Sequence, residues 1–327
     1  MFWKPWRLVL FAGLLALGFA ALHGQQPSKP AGAPGDETGA IFRAYTGRVV
    51  CHVTVVDKND HLVNNLKQDA FSVTENDVKQ DILLFKHEDI PVSMGLVIDN
   101  SGSMRQKRSS VEAAALALVK DSNPEDEVFI VNFNDDAYID NPHGKEFLTD
   151  ILEMQEALTR IDSRGGTAMR TAIDQSIDWL KKAHKEKKVL VVVTDGVDNA
   201  SNISLEDLVR NAKQSEVVIY TIGLLTEEEK RSAANARRQL KAITEATGGA
   251  EYYPKELAEV DRIAHQVAHD IRNQYTIAYK PTNEALDGTY RKIKVTVKAA
   301  GNPTPRTRTG YYATADQGTT PSHSKDK

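Results

Sequence analysis

At 327 residues the chain has room for one large domain and a smaller one. With 41% hydrophobic and 26% charged residues it has the composition of a folded globular protein, not of a fibrous or disordered one. A formal charge of −4 leaves no basic excess for a nucleic-acid-binding face, and a single cysteine, Cys51, excludes an internal disulfide.

Residues 1–24 have the form of a secretory signal: Lys4 and Arg7 precede a continuous apolar run over 8–22. That run is shorter than the roughly 20 residues a membrane-spanning helix needs. Cleavage after Ala20, Ala21 or Gly24, or retention as an N-terminal anchor, all fit; in each case the body of the protein is exported, periplasmic or extracellular. Losing Lys4 and Arg7 takes the formal charge to −6. Residues 25–40, rich in Pro, Gly and Ala, read as a flexible linker.

Over 41–90 the pattern is β. Residues 48–56 alternate as a half-buried strand, with Cys51 a small core residue between Val49 and Val53. Two further strands, 71–75 and 82–85, are separated by the turn-forming Asn76-Asp77. From 91 strands alternate with helices. A buried strand runs from Val92 into the turn Asn100-Ser101-Gly102. A helix extends to about Val119, with Val111, Ala115, Leu118 and Val119 inward. Strand 128–133 forms a hairpin with 137–139 across Asn134-Asp135-Asp136, and Ile151, Met154, Leu158 and Ile161 mark a short helix. A glycine-containing loop over 162–169 leads into a helix carrying Ile173, Ile177 and Leu180.

The strand 189–193 ends in Thr194-Asp195-Gly196. Helix 205–213, strand 217–222 and helix 226–247 follow, the last closed by Gly248-Gly249 at its C-cap. After a short strand at 251–253, helix 256–273 buries Leu257, Val260, Ile263 or Ala264, Val267 and Ile271. Residues 91–274 therefore predict an α/β domain with a doubly wound, mostly parallel sheet. Strands 275–279, 290–298 and 308–312 return to β, with Ile293, Val295 and Val297 inward. The flanks 41–90 and 275–313 are each too short for a core, so the economical arrangement is one small, sandwich-like all-β domain into which the α/β unit is inserted. Residues 314–327 are polar and predict a disordered tail.

Asp99, Ser101 and Ser103 stand together on a tight loop at the C-terminal end of a strand, the edge where open α/β sheets bind ligands. An all-oxygen set suits a hard cation, although Ser and Asp before a helix are also ordinary N-caps. Thr167, after two glycines, and Asp195, at a strand end, place two more oxygen-bearing loops on the same edge. The motifs DNSGSM, GGTAM and TDG, in this order, resemble the three loops of the metal-ion-dependent adhesion site of von Willebrand factor A domains, over about residues 91–274. With its exported β flanks and the stretch GLLTEEEKR…ATGGAEYYP, the mature chain is similar to bacterial VWFA-related proteins familiar from acidobacteria.

The resemblance implies that Ser101, Ser103 and Thr167 are hydroxyl ligands of Mg2+, with Mn2+ or Ca2+ as alternatives, and that Asp99 and Asp195 act largely through bound waters. It further implies a protein partner that offers an acidic side chain to the metal. Asp198 and Asn199 read as turn residues or the rim of the site, and Asp135 and Asp136 as hairpin-turn residues. His265 and His269 share a helix face but lack the Glu of H-E-x-x-H, so they read as solvated. Neither a phosphate-binding glycine loop nor a nucleophile elbow occurs. The expected function is a non-enzymatic, exported module for cation-dependent protein recognition. Two other readings are a structural component of an envelope complex, its metal bracing the loops, and a metal-dependent hydrolase, which lacks a general base or nucleophile beside the site.

Overall fold

The computed structural model describes residues 47–121, 123–159, 163–225 and 230–314. The expected signal segment and linker, Ile161, Asp162, the start of the expected helix 226–247 and nearly all of the polar tail lie outside the described residues. In chain order the elements are β1 (Val49–Val56), β2 (Phe71–Glu75), β3 (Val78–Gln80) and β4 (Ile82–Lys86), then β5 (Val92–Asp99), α1 (Arg108–Lys120), β6 (Glu127–Phe133) and β7 (Ala137–Ile139). There follow α2 (Ile151–Thr159), α3 (Met169–Trp179), β8 (Lys187–Thr194), α4 (Leu205–Gln214), β9 (Val217–Gly223), α5 (Lys230–Thr247), β10 (Glu251–Tyr252) and α6 (Glu259–Arg272). The last four are β11 (Tyr275–Tyr279), β12 (Tyr290–Val297), β13 (Thr304–Arg306) and β14 (Gly310–Tyr312).

Six strands form the central sheet in the order β10-β9-β8-β5-β6-β7, parallel except for β7, which pairs antiparallel with β6. All eight residues of β5 are buried, because helices cover both faces of the sheet. Met94, Leu96 and Ile98 pack with α1, α2 and α6; Val97 and its cross-strand partners Val131 and Val192 pack with α3, α4 and α5. Strand order reverses at β5, whose neighbours are β6 on one side and β8 on the other. The crevice outside the C-terminal ends of β5 and β8 is therefore the topological switch point of the sheet.

The flanks form two four-stranded antiparallel sheets, β13-β1-β11-β4 and β14-β12-β2-β3, each mixing N-terminal with C-terminal strands. Cys51 and Val53 of β1 and Tyr275 and Ile277 of β11 meet Val73 of β2 and Val295 of β12 in one core, so the pair is a sandwich. β3 is an addition to the expected strands: Asn76 and Asp77, at φ 47° and 66°, make a tight hairpin turn that starts it. β13 was likewise not legible, since Pro305 obscures it. Leu257 departs from expectation. It is 37% exposed because α6 begins at Glu259, two residues later than Leu257 needed to join the apolar stripe.

Residues 307–309 also pack against the α/β unit. Gly248 ends α5 at φ +84°, and a Cβ there would lie 2.4 Å from the backbone of Thr307. Arg308 bridges to Thr247, and Thr309 N–H donates to the Ala246 carbonyl at 3.4 Å. Among the described residues no helix is long and apolar enough to cross a membrane.

Candidate metal centre

β5 delivers Asp99 to the switch point, and the chain then turns through a 3-10 segment, Gly102–Gln106, before α1. The Asp99 carboxylate is 1% exposed. One oxygen accepts the Ser101 N–H at 2.8 Å and the other accepts the Thr194 hydroxyl, at the end of β8, at 2.7 Å. Burial, reinforced by the nearby Asp195 charge, pushes the Asp99 carboxyl up to about 6 against the opposing hydrogen bonds. The Ser101 and Ser103 hydroxyls lie 3.1 Å apart, and Ser103 donates to Asp195 Oδ1 at 2.8 Å. The first and third loops are thus joined directly through side chains.

The second loop is joined through backbone. Gly102 N–H donates to the Gly165 carbonyl at 3.2 Å. Thr167, 4% exposed, places its hydroxyl 3.7 Å from where a Cβ of Gly196 would sit, next to Asp195 in the third loop. Gly165, at φ +75°, has no room for a side chain: a Cβ would come within 2.1 Å of the Asp135 carboxylate. All five expected residues, Asp99, Ser101, Ser103, Thr167 and Asp195, therefore stand on three loops that touch at one crevice. A groove of about 1250 Å³ lies elsewhere, against α5, α6 and residues 305–309, and none of the five lines it.

Several neighbours escape a reading by motif. Asp135 is more than a turn residue: its carboxylate accepts the Gly166 N–H at 2.7 Å and so anchors the glycine loop. Asn199 holds the Thr167 N–H at 2.8 Å, and Asp198 pairs with Arg170 while accepting its N–H at 2.6 Å. Asn100, fully buried, bonds Asn132 of β6 at 2.6 Å and Arg108 of α1 at 2.6 Å, which fixes the first loop from below. An Asn directly after Asp99, at the end of an apolar strand run, is the available sequence signal. Lys107 Nζ meets Asp195 Oδ2 at 2.5 Å. His265 is exposed and pairs with Asp121 and Asp261, as its solvated face predicts.

Among the described residues no three His, Cys, Asp or Glu side chains gather in a way that suits a metal ion. A cation in this crevice would depend on hydroxyls for most of its protein ligands. The set present, three hydroxyls and two carboxylates, is all oxygen and fits a hard divalent cation, not a thiophilic one.

Residues 94–197 match the family model described as von Willebrand factor type A domain. This part of the chain is a von Willebrand factor type A domain. Members of this family commonly mediate protein–protein interaction, typically hold a divalent metal at such a site, and are generally non-catalytic. The inter-alpha-trypsin inhibitor heavy chain H4 of Bos taurus is 25% identical over 146 residues, 41% of this chain and 16% of that protein. An uncharacterised protein of Borreliella burgdorferi is 28% identical over 184 residues, 53% of this chain and 50% of that one. The chain thus spans half or less of the curated relatives it matches. Among solved structures, a von Willebrand factor type A protein from Catenulispora acidiphila is 15% identical, covering 86% of this chain and 77% of that one, with a TM-score of 0.49.

Proposed function

We propose that this von Willebrand factor type A domain is an exported, non-enzymatic binding module that recognises a protein partner in a divalent-cation-dependent manner. Ser101, Ser103 and Thr167 hold the cation, Mg2+ or its substitutes Mn2+ and Ca2+, through their hydroxyls. Asp99 and Asp195 act through waters and orient those hydroxyls. A cation bound there supplies an open position for an acidic side chain of the partner. The observation that carries the reading is the Ser103–Asp195 hydrogen bond beside the Ser101–Ser103 contact: it turns oxygens from distant loops toward one point.

The same reading assigns residues 1–24 to export and residues 25–40 to a tether. Residues 41–90 and 275–313 form one β domain that carries the 91–274 unit away from the membrane or wall. Calorimetric titration with MgCl2 and thermal melting test the site. A ligand at 100 times its dissociation constant adds about 2.7 kcal/mol of stability, an easily read shift, and EDTA should reverse it. No heat and no shift at millimolar Mg2+ or Mn2+ would remove the basis of the proposal. Partner capture from envelope extract with Mg2+, lost in EDTA, tests the recognition half.

A further inference from the structure

Lys107 has no part in that reading, yet it reaches into the site. It joins the 3-10 turn to α1, and its side chain is 18% exposed, while the Asp195 side chain it meets is 1% exposed. Its Nζ lies 2.5 Å from Asp195 Oδ2, and the other oxygen of the same carboxylate accepts from Ser103. The two neighbouring cations turn away: Arg105 donates to the Ser163 carbonyl, and Arg108 to Glu112, Asn100 and the Leu158 carbonyl. Of the three, only Lys107 is aimed into the crevice.

We propose that Lys107 is a tethered counter-cation that holds Asp195 when metal is absent and competes with the divalent ion for it, keeping metal affinity low. The inference rests on the metal reading of the crevice. Asp99, Asp195 and Lys107, the charged side chains bonded to the serines or to one another there, sum to a single negative charge, while Asp135 is tied to the glycine loop through the Gly166 N–H. A divalent ion entering beside Lys107 therefore overshoots neutrality, and two cations that share one nearly buried carboxylate are only weakly screened from each other. Without Lys107 the two aspartates balance the divalent ion alone. In the metal-free protein the order is opposite, since Asp195 without Lys107 is a nearly buried charge with no cation beside it. The device makes the loaded site electrically unsatisfied, a state that a carboxylate from outside relieves.

The experiment compares the full chain with Lys107→Met and Lys107→Gln, using Mg2+ and Mn2+ as probes. Calorimetry should show at least tenfold tighter metal binding in both variants, with Lys107→Arg staying near the parent. Melting should show a sign change: the neutral variants unfold below the parent in EDTA and draw level or rise above it in saturating Mg2+. A lysine that merely packs would lower melting equally in both conditions. Circular dichroism in EDTA confirms that each variant is folded before titration. Equal affinity in parent and variants would overturn the proposal, and weaker affinity would make Lys107 a supporting residue of the metal site. If neither parent nor variants bind either metal, the metal reading itself falls.

Discussion

Asp99 and Thr167 differ in what their removal leaves behind. The Asp99 carboxylate accepts from the Ser101 N–H and the Thr194 hydroxyl, both buried. Asp99→Ala strands those two donors, at about 1–3 kcal/mol for each that stays unsatisfied. It should lower the melting temperature in EDTA as well as abolish metal binding, so it is a poor probe of the site alone. Thr167→Ala removes one hydroxyl while the loop stays anchored through the Thr167 N–H to Asn199. Its stability in EDTA should change by less than about 1 kcal/mol, and the Mg2+-dependent melting shift should vanish. Ser109→Ala, on the exposed start of α1, should leave both quantities unchanged. Retention of a full Mg2+ shift by Thr167→Ala would mean that the ion sits elsewhere.

Single elements carry two further expectations. Lys187, at the start of β8, is 3% exposed and donates to the Ile271 carbonyl. Burial first, then Arg272, pulls its ammonium down to about 7 from the usual 10.5, against the opposing pull of Asp89 and Asp126. Between those two values the unfolded chain holds a proton that the folded chain has released, so stability rises with pH across the window. The slope is at most about 1.4 kcal/mol per pH unit, and Lys188, lowered mainly by the same burial, adds in the same sense. Urea unfolding between pH 7 and 10 should show the rise, and Lys187→Met should flatten it. At the end of α5, Gly248→Ala combines a left-handed backbone with a clash against Thr307, so it should cost more than about 2 kcal/mol. A melting temperature unchanged by that substitution would mean that residues 307–308 can move aside.

For the whole molecule, the position of β11 decides what truncation does. β11 lies between β1 and β4 and pairs with both, so it is the strand that makes the N-terminal flank into a sheet. A chain ending at Gln274 loses β11 to β14 and leaves β1, β2 and β4 with open edges and an exposed apolar face. Size-exclusion chromatography should find it aggregated at concentrations where the full chain is monodisperse. A monodisperse truncated protein with dispersed amide signals from residues 48–85 would show that the flank holds its own fold.

Much of this protein follows from local rules read along the chain. The alternating strands and helices of 91–274, the all-buried β5, the hairpin at Asn134-Asp135-Asp136 and the α5 cap at Gly248 each rest on periodicity or turn chemistry, and the structure has them all. The place of Asp99, Ser101, Ser103, Thr167 and Asp195 on loops at one sheet edge was legible too, because a motif at a strand end is a local feature; their part in holding a metal rests on the family resemblance and belongs to the proposal. What required tertiary structure was everything decided by neighbours distant in sequence. Asp135 looks like a turn residue until Gly166 arrives 31 residues later to donate to it. Lys107 looks like any basic residue at a helix start until β8 brings Asp195 beside it. β13 is held in its sheet by β1, a pairing that overrides the low strand propensity of Pro305. Sequence pattern reports which face of an element is apolar; only packing in three dimensions settles which charges meet, and that choice sets the electrostatics of the site.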